Sequence, residues 1–196
     1  VAGYSPSLTI LNETTLDAMT GEITLLIGPN GAGKSTVLKT LFGFLTPRSG
    51  EVRFEGRRIN GRTPRELLAE GIAYVPQGRN LFPSLTVRHN LELGGITLPR
   101  GELPGRIEEV LQRFPRIRER LDNQASTMSG GEQKQLEIGR ALLLRPRVLL
   151  IDEPSIGLSP ILVRDVMTLL RSLADAGTTI LMVEQNVRTA LKYSDR

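Results

Sequence analysis

Cysteine is absent from the 196 residues, so neither a disulfide framework nor a thiolate metal centre is available, in agreement with a reducing compartment. Histidine occurs once, at His89, which argues against a histidine-built zinc site. No apolar run approaches the roughly 20 residues needed to span a bilayer, and the N-terminus lacks a signal-peptide pattern. The chain is therefore not expected to cross a membrane by itself. Lys and Arg outnumber Asp and Glu by 25 to 21, giving a net charge of +4 and a pI near 9.8. The basic residues are spread out except around Arg113, Arg116, Arg118 and Arg120, so charge argues only weakly for nucleic acid or an anionic membrane surface. A 39% hydrophobic content suffices for a real core, and the length suits one domain with a small subdomain. The sequence begins without Met and stops at Tyr193-Ser194-Asp195-Arg196 without a helix-stop signal, as a trimmed chain would.

What is present centres on Gly28-Pro29-Asn30-Gly31-Ala32-Gly33-Lys34-Ser35-Thr36. The pattern is Gly, four residues, then Gly-Lys-Ser, between the strand-like run Ile23-Thr24-Leu25-Leu26-Ile27 and apolar residues at helical spacing, Val37, Leu38, Leu41, Phe42 and Leu45. Such a loop turns backbone N–H groups onto a polyphosphate, and the helix N-terminus adds partial positive charge. Lys34 is placed to reach the β and γ phosphates, and the Ser35 hydroxyl to meet Mg²⁺.

The segment up to Thr20 alternates weakly and reads as an antiparallel β region; Tyr4 there is either an ordinary strand-edge aromatic or a ring that stacks on a base. A second antiparallel strand is expected at Val52 and Phe54. Thr63-Pro64-Arg65-Glu66 is a capping box with Pro at the first helical position, Gly71 closes that helix, and Ile72-Ala73-Tyr74-Val75 is a short buried strand ending at Pro76-Gln77. From Gly78 to about Met128 short helices broken by Gly and Pro are expected; Ile107, Val110, Leu111 and Phe114 lie on one face and Pro115 stops that run. His89 falls near a helix start and reads as a solvated structural residue.

Ser129-Gly130-Gly131-Glu132-Gln133 opens a helix reaching Leu144, and Ser129 and Glu132 have capping-box spacing. The intervening glycines leave its N-terminus bare of side chains, so it can press N–H groups on an anion. Val148-Leu149-Leu150-Ile151 reads as a fully buried strand with Asp152-Glu153-Pro154 at its carboxyl end, where open α/β sheets bind ligands. One carboxylate can hold Mg²⁺ and the next can polarise an attacking water. Ser159 caps a helix that ends at Gly177, and Thr178 to Val183 is another strand, with Glu184-Gln185-Asn186 aimed at the same crevice.

Together these sites resemble the ATP-binding-cassette ATPase family across nearly the whole chain. Residues 28–36 look like its Walker A loop, Gln77 its Q-loop glutamine, Ser129 to Gln133 its signature motif, and Val148 to Glu153 its Walker B strand with the catalytic glutamate. The resemblance implies an α/β fold of the P-loop, RecA-like kind: a mainly parallel core with the N-terminal β region over residues 1–77 and 140–196, and a helical subdomain at about 78–139. It implies a missing set of C-terminal strands. It makes Tyr4 the adenine-stacking aromatic, places residues 28–36, Gln77 and Ser129, Gly130, Gly131 and Glu132 on ATP, and Ser35, Gln77 and Asp152 on Mg²⁺. Lys34, Glu153 and Gln185 would carry hydrolysis.

Within the family, the wording around Met128 to Gln133, Asp152 to Pro160 and Val183 to Asn186 is similar to the second ATPase of branched-chain amino-acid importers, with urea importers the nearest rival and members acting on ribosomes or DNA a different class. The implied partners are a second ATPase subunit, homo- or heterodimeric and joined through ATP, membrane permeases and, indirectly, a solute-binding protein, with no nucleic acid. The implied location is the cytoplasmic face of the membrane. The chain departs from the family pattern where Gln185 replaces the switch-loop histidine and Ser159 the D-loop aspartate; an amide can still donate a hydrogen bond but cannot change charge near neutral pH.

Overall fold

Four apolar runs lie side by side as one parallel sheet in the computed structural model, which describes residues 1–5, 7–78 and 80–196. In chain order, β1 (Ile23–Leu26) leads to α1 (Lys34–Leu41), and β2 (Arg53–Phe54) pairs antiparallel with β3 (Arg57–Arg58). Next, α2 (Pro64–Ala69) precedes β4 (Ile72–Val75), then come α3 (Val87–Gly94), α4 (Leu103–Arg113), α5 (Pro115–Arg118) and α6 (Gly130–Leu142). The chain closes through β5 (Val148–Asp152), α7 (Pro160–Asp175), β6 (Thr179–Val183) and α8 (Val187–Ala190). The parallel order is β1-β6-β5-β4.

β6 and all of β5 beyond its first residue are buried, which is why Val-Leu-Leu-Ile and Thr-Ile-Leu-Met-Val read as continuous apolar runs and not as alternations. The pleat still sorts their side chains between two cores. Leu149, Ile151, Ile180 and Met182 pack with Met167 and Leu170 of α7 and Leu136 of α6. Leu150, Leu181 and Val183 face the other way, onto Leu38 of α1, Phe42 and Leu67 of α2.

Register aligns the carboxyl ends of all four strands. Val75 sits opposite Ile151, Asp152 opposite Val183, and Leu26 opposite Val183 on the other side. The residues that follow each strand therefore emerge along one edge of the sheet.

Several expectations are adjusted. Up to Thr20 the antiparallel pairing among the described residues consists of the bridges Ala2↔Leu11 and Ser5↔Leu8; residues 12–20 are mostly exposed and lack the alternation that would hold a strand. α4 ends at Arg113, so the run does stop before Pro115; Phe114 leaves helical geometry at φ −126° and ψ 74°, and Pro115 then opens α5 at its first position, where a missing N–H costs nothing. α6 ends at Leu142, short of Leu144. Both capping boxes form, Thr63 with Glu66 and Ser129 with Glu132. His89 is exposed. The arginine cluster is partly neutralised, Arg118 by Glu108 at 2.6 Å and Arg120 by Glu132 at 3.8 Å. Among the described residues no helix is long and apolar enough to cross a membrane.

Candidate functional site

The loop after β1 enters α1 through Gly33, whose φ of 89° lies in the left-handed region and which offers no side chain as a cap. The first-turn N–H groups of α1 are thus left uncapped by a side chain and available to an anion. A Cβ at Gly33 would come within 3.0 Å of the Ile10 side chain and 3.2 Å of Leu11, so the N-terminal segment packs close against the loop. Lys34 is only 9% exposed, and its ammonium donates to the carbonyls of Gly28 at 2.8 Å and Pro29 at 2.9 Å. Those bonds offset the cost of burying its charge. Tyr4 is half exposed nearby, its hydroxyl 3.3 Å from the Lys39 ammonium, which also lies 5.5 Å from the ring centre. Hydrogen bonding to Thr36 first, and then to Lys39, holds the Tyr4 phenol below its usual pKa.

The acids stand two strands away, at the end of β5 with β6 between. Ser35 Oγ donates to Asp152 Oδ1 at 3.1 Å, and the Tyr74 hydroxyl donates to Oδ2 at 3.4 Å. Asp152 is 1% exposed, and burial above all pushes its carboxyl up in pKa; the Ser35 bond opposes this, while the Glu153 charge adds to it. Consecutive residues of a regular strand point to opposite faces. Glu153 breaks that rule with φ 48°, a left-handed conformation unusual for a residue with a Cβ, while its N–H still bonds to Val183 O at 2.9 Å. Its carboxylate, 6% exposed, accepts from Gln77 Nε2 on one oxygen and from Gln185 Nε2 on the other, each at 2.6 Å. The sheet edge thus brings Gln77, Glu153 and Gln185 together, and Asp152 with Ser35.

The polar trio after β6 divides. Gln185 reaches Glu153, and Asn186 caps α8 by accepting from Thr189 N–H. Glu184, 1% exposed, turns inward instead, accepting from Ser155 N–H and Oγ at 2.8 Å each and from Gln185 N–H at 3.1 Å. It ties the turn after Glu153 to the end of β6. Three polar residues in a row after a buried strand look alike in sequence, so nothing there separates the inward-turned Glu184 from Gln185.

Ser129 and Gly130 lie exposed at the start of α6, and no hydrogen bond joins residues 129–132 to residues 28–36 among the described residues. Gly131 corrects the reading of a helix end kept bare for a ligand: it is buried, and a Cβ there would meet Leu162 at 2.6 Å. Only Gly130, with nothing nearer than 3.9 Å, keeps that explanation. Ser159 caps α7, its Oγ accepting from Leu162 N–H at 3.5 Å.

A glycine loop joining a parallel strand to a helix N-terminus, with acids at the carboxyl end of a strand in the same sheet, defines a P-loop nucleoside-triphosphatase. The chain belongs to the ABC transporter family, whose model matches residues 11–156, and it is accordingly an ATPase. It is 43% identical over 196 residues to the high-affinity branched-chain amino acid transport ATP-binding protein BraG of Pseudomonas aeruginosa, covering all of this chain and 84% of that one. It is 41% identical over 195 residues to the probable branched-chain amino acid transport ATP-binding protein LivF of Archaeoglobus fulgidus, covering 99% of this chain and 82% of the relative. Among solved structures, the ADP conformation of an ATP-binding cassette of an ABC transporter superposes with a TM-score of 0.90 at 30% identity, over all of this chain and 82% of the other.

Proposed function

We propose that this chain is the ATP-hydrolysing subunit of a membrane importer for branched-chain amino acids, acting at the cytoplasmic face beside permease subunits. The single observation that carries the chemistry is the Glu153 carboxylate gripped by two neutral amides next to the Ser35–Asp152 pair. The amino-acid cargo is supported by what BraG and LivF are named for.

ATP would enter with its phosphates on the N–H groups of residues 28–36, competing with the Gly28 and Pro29 carbonyls for the Lys34 ammonium. Tyr4 offers a flat exposed ring at the rim of the loop for the base. Among the described residues no group of three or more His, Cys, Asp or Glu could hold a metal ion, which suits Mg²⁺, a cation that keeps waters and phosphates as ligands. The hard oxygens of Ser35 and Asp152 fit it, as does the Gln77 amide oxygen, left over when Nε2 donates to Glu153. When bound it would neutralise charge on the β and γ phosphates. Glu153 accepts one amide on each oxygen, and a carboxylate has about four acceptor sites, so capacity remains to take a proton from the attacking water. Gln185 and Gln77 orient that carboxylate.

Among the described residues, Ser129 and the α6 N-terminus have no hydrogen bond to this chain's own phosphate loop, which favours their use on the nucleotide of a second ATPase subunit. Residues of about 78–139 would then form a helical subdomain inserted in a core of 1–77 and 140–196, hinged at Gln77 and passing motion to the permease. The test is Glu153→Gln, which should keep ATP binding and lower turnover by roughly 10²–10⁴-fold, the usual worth of a positioned base. Turnover within a factor of about two of the parent would remove Glu153 from that role.

A further inference from the structure

One buried ion pair has no part in the chemistry above. Lys134 and Glu137, on α6, have side chains only 7% and 4% exposed and meet at 2.5 Å. Taking two charges out of water is costly, and well-packed apolar residues are often at least as stabilising in such a place. Stability alone therefore gives no reason for the pair.

Its contacts do. Glu137 spends its second oxygen on the backbone N–H of Asn80 at 2.9 Å, and one turn along, Arg140 donates to the Asn80 carbonyl at 2.6 Å. Both backbone groups of Asn80 are thus held by α6. The Asn80 side-chain amide in turn donates to the carbonyls of Pro76, Gln77 and Gly78 at 3.3, 3.4 and 3.3 Å. Those bonds close the loop from which Gln77 reaches Glu153 at 2.6 Å. Lys134 donates to the other Glu137 oxygen and so holds the carboxylate aimed at Asn80.

We propose that Glu137, aligned by Lys134, is a positioning residue for hydrolysis: through Asn80 it fixes the Gln77 loop to the helix that begins at Ser129, so that the amide on the catalytic carboxylate and the signature end of α6 move as one body. The inference rests on the reading of Gln77 and Glu153 given above.

Two paired variants separate this role from simple stability. Lys134→Met with Glu137→Gln removes both charges but keeps an oxygen for the Asn80 N–H; Lys134→Met with Glu137→Leu removes the charges and the acceptor. The first keeps the acceptor but loses the Lys134 bond that aims it, so its kcat should fall between those of the parent and the second variant. The second should lower kcat by roughly 5-fold or more, in the range of measured couplings between sites. KM for ATP and fluorescent-nucleotide binding should change much less than kcat in both, since residues 28–36 lie on another element and Gln77 is one of several groups that would meet the metal. If the Leu variant fails to fold, Asn80→Ala takes its place, with the same fall in kcat expected. Equal kcat for the Gln and Leu variants, an unchanged Asn80→Ala, or a loss that falls on nucleotide binding as heavily as on kcat would overturn the proposal. Parent-like hydrolysis by Glu153→Gln would instead overturn the underlying reading, whatever these variants do.

Discussion

Gln185 offers the sharpest perturbation, because it stands outside the family match over residues 11–156 and yet touches the proposed base. Gln185→Ala removes the 2.6 Å bond to Glu153 Oε1 and leaves the Gln77 bond to Oε2 in place. A hydrogen bond to a charged group contributes about 1.5–3 kcal/mol, which converts to roughly a 10- to 150-fold loss in turnover if the bond orients the carboxylate during reaction. With Gln77 still holding the other oxygen, the effect should fall toward the lower end, and Gln77→Ala combined with Gln185→Ala should cost more than the two single losses together predict. Gln185→His should retain much of the activity, since imidazole can also donate. An amide does not titrate, so the parent's pH–rate profile should lack a limb near pH 6.5, whereas the His variant should gain one near that value. Steady-state ATPase measured from about pH 5.5 to 9 for the parent and the Ala and His variants decides the matter. If Gln185→Ala matches the parent throughout, Gln185 is a bystander and Gln77 alone holds the base.

Ser129→Arg puts bulk and positive charge at the exposed start of α6 and should abolish the dimer that ATP favours in the Glu153→Gln background; a dimer by light scattering that persists without ATP and survives the arginine would sink the shared site. Asp152→Asn should raise the melting temperature of the protein without ligand at neutral pH while weakening Mg²⁺-dependent nucleotide binding. The sign follows from burial, which raises the Asp152 pKa. Below the unfolded value of about 3.9 the carboxyl is neutral in both states, and the penalty for ionising it develops as pH rises through the folded value. The stability gap between variant and parent should therefore close on acidification, and a gap that widens would refute the assignment of burial as the cause.

The strands were legible because fully buried parallel strands are written as unbroken apolar runs, and 72–75 and 148–151 coincide with β4 and the apolar part of β5. The caps were legible for a similarly local reason: Thr63 to Glu66 and Ser129 to Glu132 complete their hydrogen bonds within four residues. The N-terminal antiparallel pairing is limited to isolated bridges among the described residues, because weak alternation without burial does not hold a full strand. Gln77 entered through resemblance alone. Nothing in Val75-Pro76-Gln77 says that its amide reaches an acid 76 residues on; the pairing of Val75 with Ile151 does that. Glu137 was invisible for the same reason, since a Lys and a Glu three apart on a helix are ordinarily a solvated pair.

What the sheet edge accomplishes beyond alignment is to let two successive acids share one crevice. A regular strand would send Asp152 and Glu153 to opposite faces, and only the left-handed turn at Glu153 rotates the second carboxylate back toward Gln77 and Gln185. That conformation costs of order 1–3 kcal/mol for a residue with a Cβ, and it persists only where surrounding contacts over-determine it. Here they do. The Glu153 N–H is held by Val183, both its carboxylate oxygens are taken, and the turn that follows is pinned where Glu184 accepts from Ser155. Glu184 thus does for the backbone what the two glutamines do for the side chain, which is why an acid that never faces the crevice stands at the end of β6.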